Sequence, residues 1–349
     1  MNIYYDADIE PRVYEGRSQT AILLKTFLQK QGFNFVDQPG KADLIHVHSS
    51  GIFASFRAAR LKQKYNVPVI YSLYSISKTE PINHIRNHLA QQYYLRPRQT
   101  SFLLSYSAIL PLKLRGFKLK QLDKVITPSF FVKKRLFSNT EVIRLGIDVN
   151  TFKPAFSQNS LPDNYKNTCL LEKSLKIGYI GHPSAYKGLL DFVRASKLFS
   201  THHQNSVYLS DISPKMQAKL SKINPRLQIF GYTENIAEIY NSLDIIILPY
   251  RSHLAGVANP LVLLEAMACG KAIITTNFPY LREIIKDSAI QVKPYSPKAI
   301  RDAVKKLEDK QLRQQLGCKA RLIIEQEFSQ EAMLQKYSQL YYEFTAKRN

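Results

Sequence analysis

Cysteine is scarce. Only Cys169, Cys269 and Cys318 occur in 349 residues, far apart and without metal-like or disulfide-like spacing. That excludes a disulfide-stapled scaffold, and an odd, scattered set points to a reducing compartment. No apolar run approaches the ~18–20 residues that a membrane-spanning helix needs. Thirteen glycines and seventeen prolines are too few for a low-complexity chain. No repeat and no heptad run is visible. The opening Met1-Asn2-Ile3-Tyr4-Tyr5-Asp6 enters a strand without a secretory leader, so a soluble, cytoplasmic protein is expected. Acidic residues are the other shortage: 27 Asp and Glu face 49 Lys and Arg, a formal net charge of +22.

The excess is local. Between Phe56 and Arg135 sixteen Lys and Arg meet only Glu80 and Asp123, so +14 of the +22 sits in under a quarter of the chain. Such a field implies an anionic partner: membrane headgroups, nucleic acid or a polyanionic substrate. The plain alternative is a general basic bias of the source.

With 45% hydrophobic residues the chain can build two cores. Short apolar runs alternate with amphipathic stretches twice over. The first set of expected strands is 3–5, 33–36, 44–48, 69–74, 124–127 and 142–145. The second is 176–181, 207–210, 227–231, 245–249, 272–276 and 290–293. Strands interleaved with helices predict parallel sheets with right-handed crossovers, hence an α/β chain of two Rossmann-like domains. The expected division is a first domain at 1–152, a linker at 153–174 and a second domain at 175–328. An amphipathic helix from 329 to 349 carries Met333, Leu334, Tyr337, Leu340, Tyr341 and Phe344 and must pack on something. The stretch Ser75–Gln121 breaks the pattern. Its apolar residues beside Lys and Arg suit a lipid interface; the alternative is an ordinary insertion whose apolar residues face the core.

The most informative segment is Asn259-Pro260-Leu261-Val262-Leu263-Leu264-Glu265-Ala266-Met267-Ala268-Cys269-Gly270, between two buried-looking strands. Asn259 can cap a helix whose first residue is Pro260, and Gly270 can end it. Free N–H groups in the first turn form an anion site. Glu265 lies in an apolar run and requires a hydrogen-bonding partner. Phosphate at the helix start and sugar hydroxyls at Glu265 would make a nucleotide site; the alternative is a plain helix-to-strand connection.

Together the motifs resemble the GT-B glycosyltransferases of glycosyltransferase family 4, a retaining family. Tyr14-Glu15-Gly16-Arg17 resembles the loop that approaches donor phosphates, and Asp43–Ser49 the "D-x-x-H-x-H" strand. Leu122–Ser129 resembles the strand ending in a serine, and Leu145–Phe152 the "N-G-I-D-x-x-x-F" segment. Ile180–Gly188 resembles "G-R-x-x-x-x-K-G", and Glu265–Gly270 "E-A-M-A-x-G". The resemblance implies sheets facing across a cleft and a C-terminal helix crossing back to the first domain. It also implies a retaining, metal-independent transfer from a UDP-, GDP- or ADP-linked sugar, with no cofactor. Lys187, Glu265 and His182 are the implied catalytic residues. Gly16, Arg17, Gly181, Lys187, Tyr232, Thr233, Asn259, Pro260, Leu261, Val262 and Glu265 are implied on the donor side, and Tyr74 and Ser129 on the acceptor side. With the basic segment, the expected acceptor is lipid-linked or at a membrane surface, and the protein is expected as peripheral on the inner face.

The chain departs from the family at Val257, where the first glutamate of an acid pair is usual, and at Tyr74, where histidine is usual. His182 replaces arginine. These changes keep a second class open, a degenerate GT-B protein that binds a nucleotide sugar or a partner without transfer. A third, a basic nucleic-acid-binding protein, rests on charge alone, with no recognised motif. Asp6-Ala7-Asp8 has the Asp-x-Asp form of another fold, and no metal is expected there.

Overall fold

Among the described residues, six short runs in each half of the chain form two sheets, and every strand pair in both is parallel. The computed structural model describes residues 1–7, 16–48, 54–74, 80–95, 116–155, 174–253 and 258–346. The first sheet comprises β1 (Asn2–Ala7), β2 (Asn34–Phe35), β3 (Leu44–His48), β4 (Val69–Ser72), β5 (Lys124–Thr127) and β6 (Thr140–Val142). The second comprises β7 (Lys176–Gly181), β8 (Gln204–Leu209), β9 (Gln228–Phe230), β10 (Ile245–Leu248), β11 (Ala272–Thr276) and β12 (Ile290–Val292).

The spatial orders are β2-β1-β3-β4-β5-β6 and β12-β11-β10-β7-β8-β9. Both are doubly wound α/β arrangements, as expected from alternating elements. The order reverses between β1 and β3 in the first sheet and between β7 and β10 in the second. Connections leave to opposite faces at such a switch point, which opens a crevice at the strands' carboxyl ends. Inner strands are buried on both faces and read as β-branched runs. β10 is Ile-Ile-Ile-Leu with each side chain at most 2% exposed, and each contributes about 1.5–3 kcal/mol by leaving water.

Local punctuation follows the sequence. Ser213 and Asp309 accept hydrogen bonds from the first-turn amides of the helices Pro214–Ile223 and Lys310–Glu327. Gly32, at φ 84°, ends the helix Gly16–Lys30. β6 lies earlier than the expected 142–145. Thr140–Val142 pairs with Val125–Thr127, whereas Ile147 is used for an isolated parallel bridge to Ser329.

That bridge starts the return of the chain to the first sheet. Ile147 N donates to Phe328 O at 2.8 Å, and Gln330 N donates to Ile147 O at 3.0 Å. A Cβ on Gly146 would lie 2.6 Å from both Ser329 O and Gln330 Cα, so no larger residue fits the crossing. The helix Gln330–Ala346 then buries all six expected residues, Met333, Leu334, Tyr337, Leu340, Tyr341 and Phe344. Tyr341 Oη meets His46 Nδ1 on β3 at 2.5 Å. Of the expected linker, residues 156–173 lie outside the described residues.

Candidate active site

At the switch point of the second sheet, strand ends and helix starts converge on one cavity of about 370 Å³. β7 supplies Tyr179, Ile180 and Gly181, followed by His182 and Lys187. β8 supplies Tyr208 and Leu209, followed by Ser210, and the turn after β9 supplies Gly231, Tyr232, Thr233 and Glu234. The far wall is Leu248, Tyr250, Pro260, Leu261, Val262 and Glu265. Ile236, Tyr240 and Tyr280 also line it, as do Phe152 and Gln19 from the first half of the chain.

The loop shape has local causes. Gly188, at φ 82°, caps the helix Leu189–Ser196, and a Cβ there would lie 1.8 Å from Pro249 O. Glycine is therefore required where the chain crosses the end of β10, and Lys187 is set at the cavity wall beside it. A buried ion pair ties the helix Leu189–Ser196 to the segment after β10. Arg251 donates from Nε to Asp191 Oδ2 at 2.7 Å and from a terminal nitrogen to Oδ1 at 2.5 Å, and both residues are 2% exposed. His182 Nδ1 lies 2.5 Å from Ser210 Oγ.

The helix Leu261–Ala268 begins at the cavity wall, which Pro260, Leu261 and Val262 line. Glu265 stands one turn in, and Tyr240 Oη donates to its Oε2 at 2.6 Å. Burial raises the Glu265 pKa above the usual carboxylate range, opposed by the Tyr240 hydrogen bond. Tyr240 and Tyr250 are themselves raised, chiefly by burial and then by the Glu265 charge, so both stay neutral donors. The wall combines the desolvated Glu265 carboxylate, the exposed Glu234, several phenol donors, a lysine and a helix start. It can hold an anion at one end and hydroxyl groups at the other.

Of the residues expected from sequence, Gly181, His182, Lys187, Tyr232, Thr233, Pro260, Leu261, Val262 and Glu265 come together here. Asn259 does not cap the helix. Pro260 occupies the cap position at φ −66°, ψ 118°, with no side-chain bond. Asn259 is buried, and its amide nitrogen faces the carbonyls of Ala258 and Pro128, 3.1 Å each, in the orientation that satisfies both. Its role is to join the two halves. Ser129, outside the cavity lining, caps the helix Phe130–Lys133 and donates to Glu283 Oε2 at 2.8 Å. Tyr74 is 4% exposed and lies outside the cavity lining, with its ring 4.9 Å from that of His48. Gly16 opens its helix, while the Arg17 side chain, Tyr14–Glu15 and Val257 lie outside the described residues. Asp6 pairs with Arg57 at 2.9 Å.

Sequence reasoning missed Tyr240, Tyr208, Tyr250, Phe152 and Gln19. One signal pointed to Tyr240: a carboxylate in an apolar run demands a donor, although the run does not say which.

Comparison with known proteins fits this picture. Residues 164–322 match the family model Glycosyl transferases group 1, so the second half of the chain carries such a domain. The capsular polysaccharide biosynthesis glycosyltransferase CapM of Staphylococcus aureus is 24% identical over 209 residues, 57% of this chain and 53% of that one. Across the curated relatives the matched stretch spans 32% to 59% of their length, about half in most. Sucrose-phosphate synthase from Thermosynechococcus elongatus superposes at TM-score 0.72 and 16% identity, covering 99% of both chains. Anabaena HepE, solved in complex with UDP-glucose, superposes at 0.70 and 15%, covering 98% of this chain and 99% of that one. These likenesses show the fold, that of GT-B glycosyltransferases.

Proposed function

We propose that the chain transfers a sugar, a hexose in the first instance, from a nucleoside-diphosphate donor to an acceptor in glycan or glycolipid synthesis. The observation that carries this reading is the cavity at the β7–β10 switch point, with Lys187 and the start of the helix Leu261–Ala268 on its wall and Glu265 one turn deeper. In this reading Lys187, His182 and the Leu261 and Val262 amides hold the diphosphate, and Glu265 accepts from the ribose hydroxyls. Tyr232 and Thr233 frame the base. The leaving diphosphate is stabilised by fixed cations and amides aimed at its developing charge. The transfer is retaining and needs no metal ion. Acceptor attack on the face the diphosphate leaves lets that group take the acceptor proton.

The acceptor in this reading is lipid-linked, and the protein works at the cytoplasmic membrane surface. Support comes from the first half. Phe56 and Phe117 are exposed and pair edge-on at 5.5 Å, with Lys118 over Phe117 and Arg57, Arg60 and Lys120 nearby in the chain. No helix among the described residues is long and apolar enough to cross a membrane. Flotation with anionic vesicles but not neutral ones is the expected result.

The deciding test is thermal unfolding with UDP-, GDP- and ADP-sugars, because a ligand that binds only the folded state raises the midpoint. A shift with one series supports the donor site and names the base; none at millimolar ligand overturns it. With the donor known, incubation with lipid-linked sugars, with and without chelator, and NMR of the product anomer test transfer, metal need and retention. The burial of Tyr74 favours one rival, nucleotide-sugar binding without transfer, which would show binding and no product with any acceptor.

A further inference from the structure

The helix Pro81–Tyr94 has its polarity inverted. Ile82, Leu89 and Tyr93 are exposed at 80%, 63% and 65%, whereas His84, Asn87 and Gln91 are buried. An ordinary surface helix does the opposite. The cause is what the buried face meets. In sequence the helix lies between β4 and β5 of the first sheet, yet it packs on the loop that follows β7 in the second. That loop presents backbone groups, and buried backbone groups require polar partners.

Gln91 supplies two of them. Its Oε1 accepts from Ala185 N at 2.8 Å, and its Nε2 donates to Pro183 O at 3.2 Å. Ala185 is 0% exposed, so this amide cannot turn to water instead. Two helical turns earlier, His84 Nδ1 lies 2.8 Å from Tyr186 Oη. These contacts fall on the residues between His182 and Lys187. Lys187 N and Gly188 N then close onto Ser184 O and Ala185 O at 3.2 Å each, so the bend that ends at Lys187 is built on the segment Gln91 holds.

We propose that Gln91 is a positioning residue for the cavity: from the first half of the chain it holds the 183–187 loop, and thereby Lys187 and His182, in the shape that receives a nucleoside diphosphate. The second sheet's cavity is then incomplete by itself. One wall is braced by a helix outside the part of the chain that carries the group 1 domain. The proposal rests on the donor reading above, and it also makes a claim about loop order that needs no nucleotide.

The test uses the full chain as wild type, Gln91→Met, Tyr186→Phe and Lys187→Ala. Methionine matches glutamine in length and offers neither strong hydrogen bond; phenylalanine removes only the hydroxyl facing His84. UDP is the probe, titrated by calorimetry, and hydrogen exchange is followed on the amides of residues 184–188. Losing two buried hydrogen bonds should weaken UDP binding by about fivefold or more in Gln91→Met. Exchange of the Ala185–Lys187 amides should accelerate, while amides of β7 and β10 stay protected. Tyr186→Phe should move both readouts the same way by less, and it carries the test if Gln91→Met fails to fold. Wild-type affinity and wild-type protection in both variants would overturn the proposal. If the wild type binds none of UDP, GDP and ADP, or Lys187→Ala binds the one that the wild type takes unchanged, the donor reading has failed at this site. Hydrogen exchange then decides alone: lost loop protection in Gln91→Met sustains the brace, and unchanged protection ends it.

Discussion

Replacing Glu265 by glutamine separates what this residue does for the fold from what it does for a ligand. Glutamine keeps the shape, and its carbonyl can still accept from Tyr240 Oη, now 2.6 Å from the carboxylate. What disappears is a charge in a desolvated place. Burial holds the Glu265 pKa above the ordinary value of 4.5. Folding therefore favours the protonated form, and stability is lost as the pH rises above the unfolded pKa, in full once it exceeds the folded one. That cost is absent below both pKa values and grows as pH rises through the interval between them. An amide does not titrate, so the empty Glu265→Gln variant should equal or exceed the wild type in melting temperature at pH 7.5 and show no such advantage near pH 4. Ligand binding should move the other way. A carboxylate accepting from ribose hydroxyls makes charge-assisted bonds of about 1.5–3 kcal/mol, so its neutral substitute should bind UDP about tenfold to a hundredfold more weakly. Differential scanning fluorimetry across pH and calorimetry with UDP at pH 7.5 read the two effects independently. A variant that is less stable at pH 7.5 and binds UDP normally would refute both halves: Glu265 would then be a structural anchor.

Three further outcomes follow from the same geometry. Lys187→Ala should weaken UDP binding by about tenfold or more, the worth of a hydrogen bond to a charged group, with the melting temperature nearly unchanged because Lys187 is only half-buried at the cavity wall. Asp191→Ala leaves the Arg251 guanidinium buried without its carboxylate and should cost about 3–5 kcal/mol in urea unfolding. The double change Asp191→Leu with Arg251→Met should recover most of that loss. Tyr240→Phe removes the bond that lowers the Glu265 pKa, so that pKa rises further and UDP affinity should begin to fall at a higher pH than in the wild type, as seen in binding profiles from pH 4 to 8.

The architecture was readable because its cause is local. A run such as Ile245–Leu248 can be little else than an inner strand, and twelve such runs separated by helical stretches leave parallel doubly wound sheets as the economical arrangement. The need for a partner at Glu265 was also readable, since it follows from burying a carboxylate. The identity of the partner was not: Tyr240 is twenty-five positions away, and its arrival depends on how the helix Ile236–Ser242 packs. Asn259 shows why local rules fail at an interface. Asparagine before proline has every feature of a cap, yet the Pro128 carbonyl across the junction competes for the same amide. The helix Pro81–Tyr94 shows a related limit. The sequence left open whether its apolar residues face lipid or the core; Ile82, Leu89 and Tyr93 are exposed, and the surface its other face meets, loop backbone and the Tyr186 hydroxyl, is matched by Gln91 and His84.

Tyr74 bears on how a proton would leave the acceptor. It stands where the resembled family has histidine, and its surroundings decide whether it can replace one. The side chain is buried, its Oη lies 3.4 Å from Tyr337 Oη, and its ring lies 4.9 Å from the His48 ring. Burial first, then the neighbouring Tyr337 and Tyr5, push its pKa well above the ordinary 10.0. A general base works best with a pKa near the operating pH, and a phenol held this high stays protonated throughout the range where proteins work. If sugar is transferred, the proton must go elsewhere, and the departing diphosphate oxygen is the acceptor the reaction itself supplies. Tyr74→Phe should then leave the transfer rate within about threefold of wild type, whereas loss of a true general base lowers rates by ~10²–10⁴. Folding should suffer by no more than about 1 kcal/mol, the worth of one neutral hydrogen bond. Single-turnover rates with saturating donor give the answer. A hundredfold fall with unchanged UDP affinity would make Tyr74 part of the proton path and remove the case for the leaving group as base.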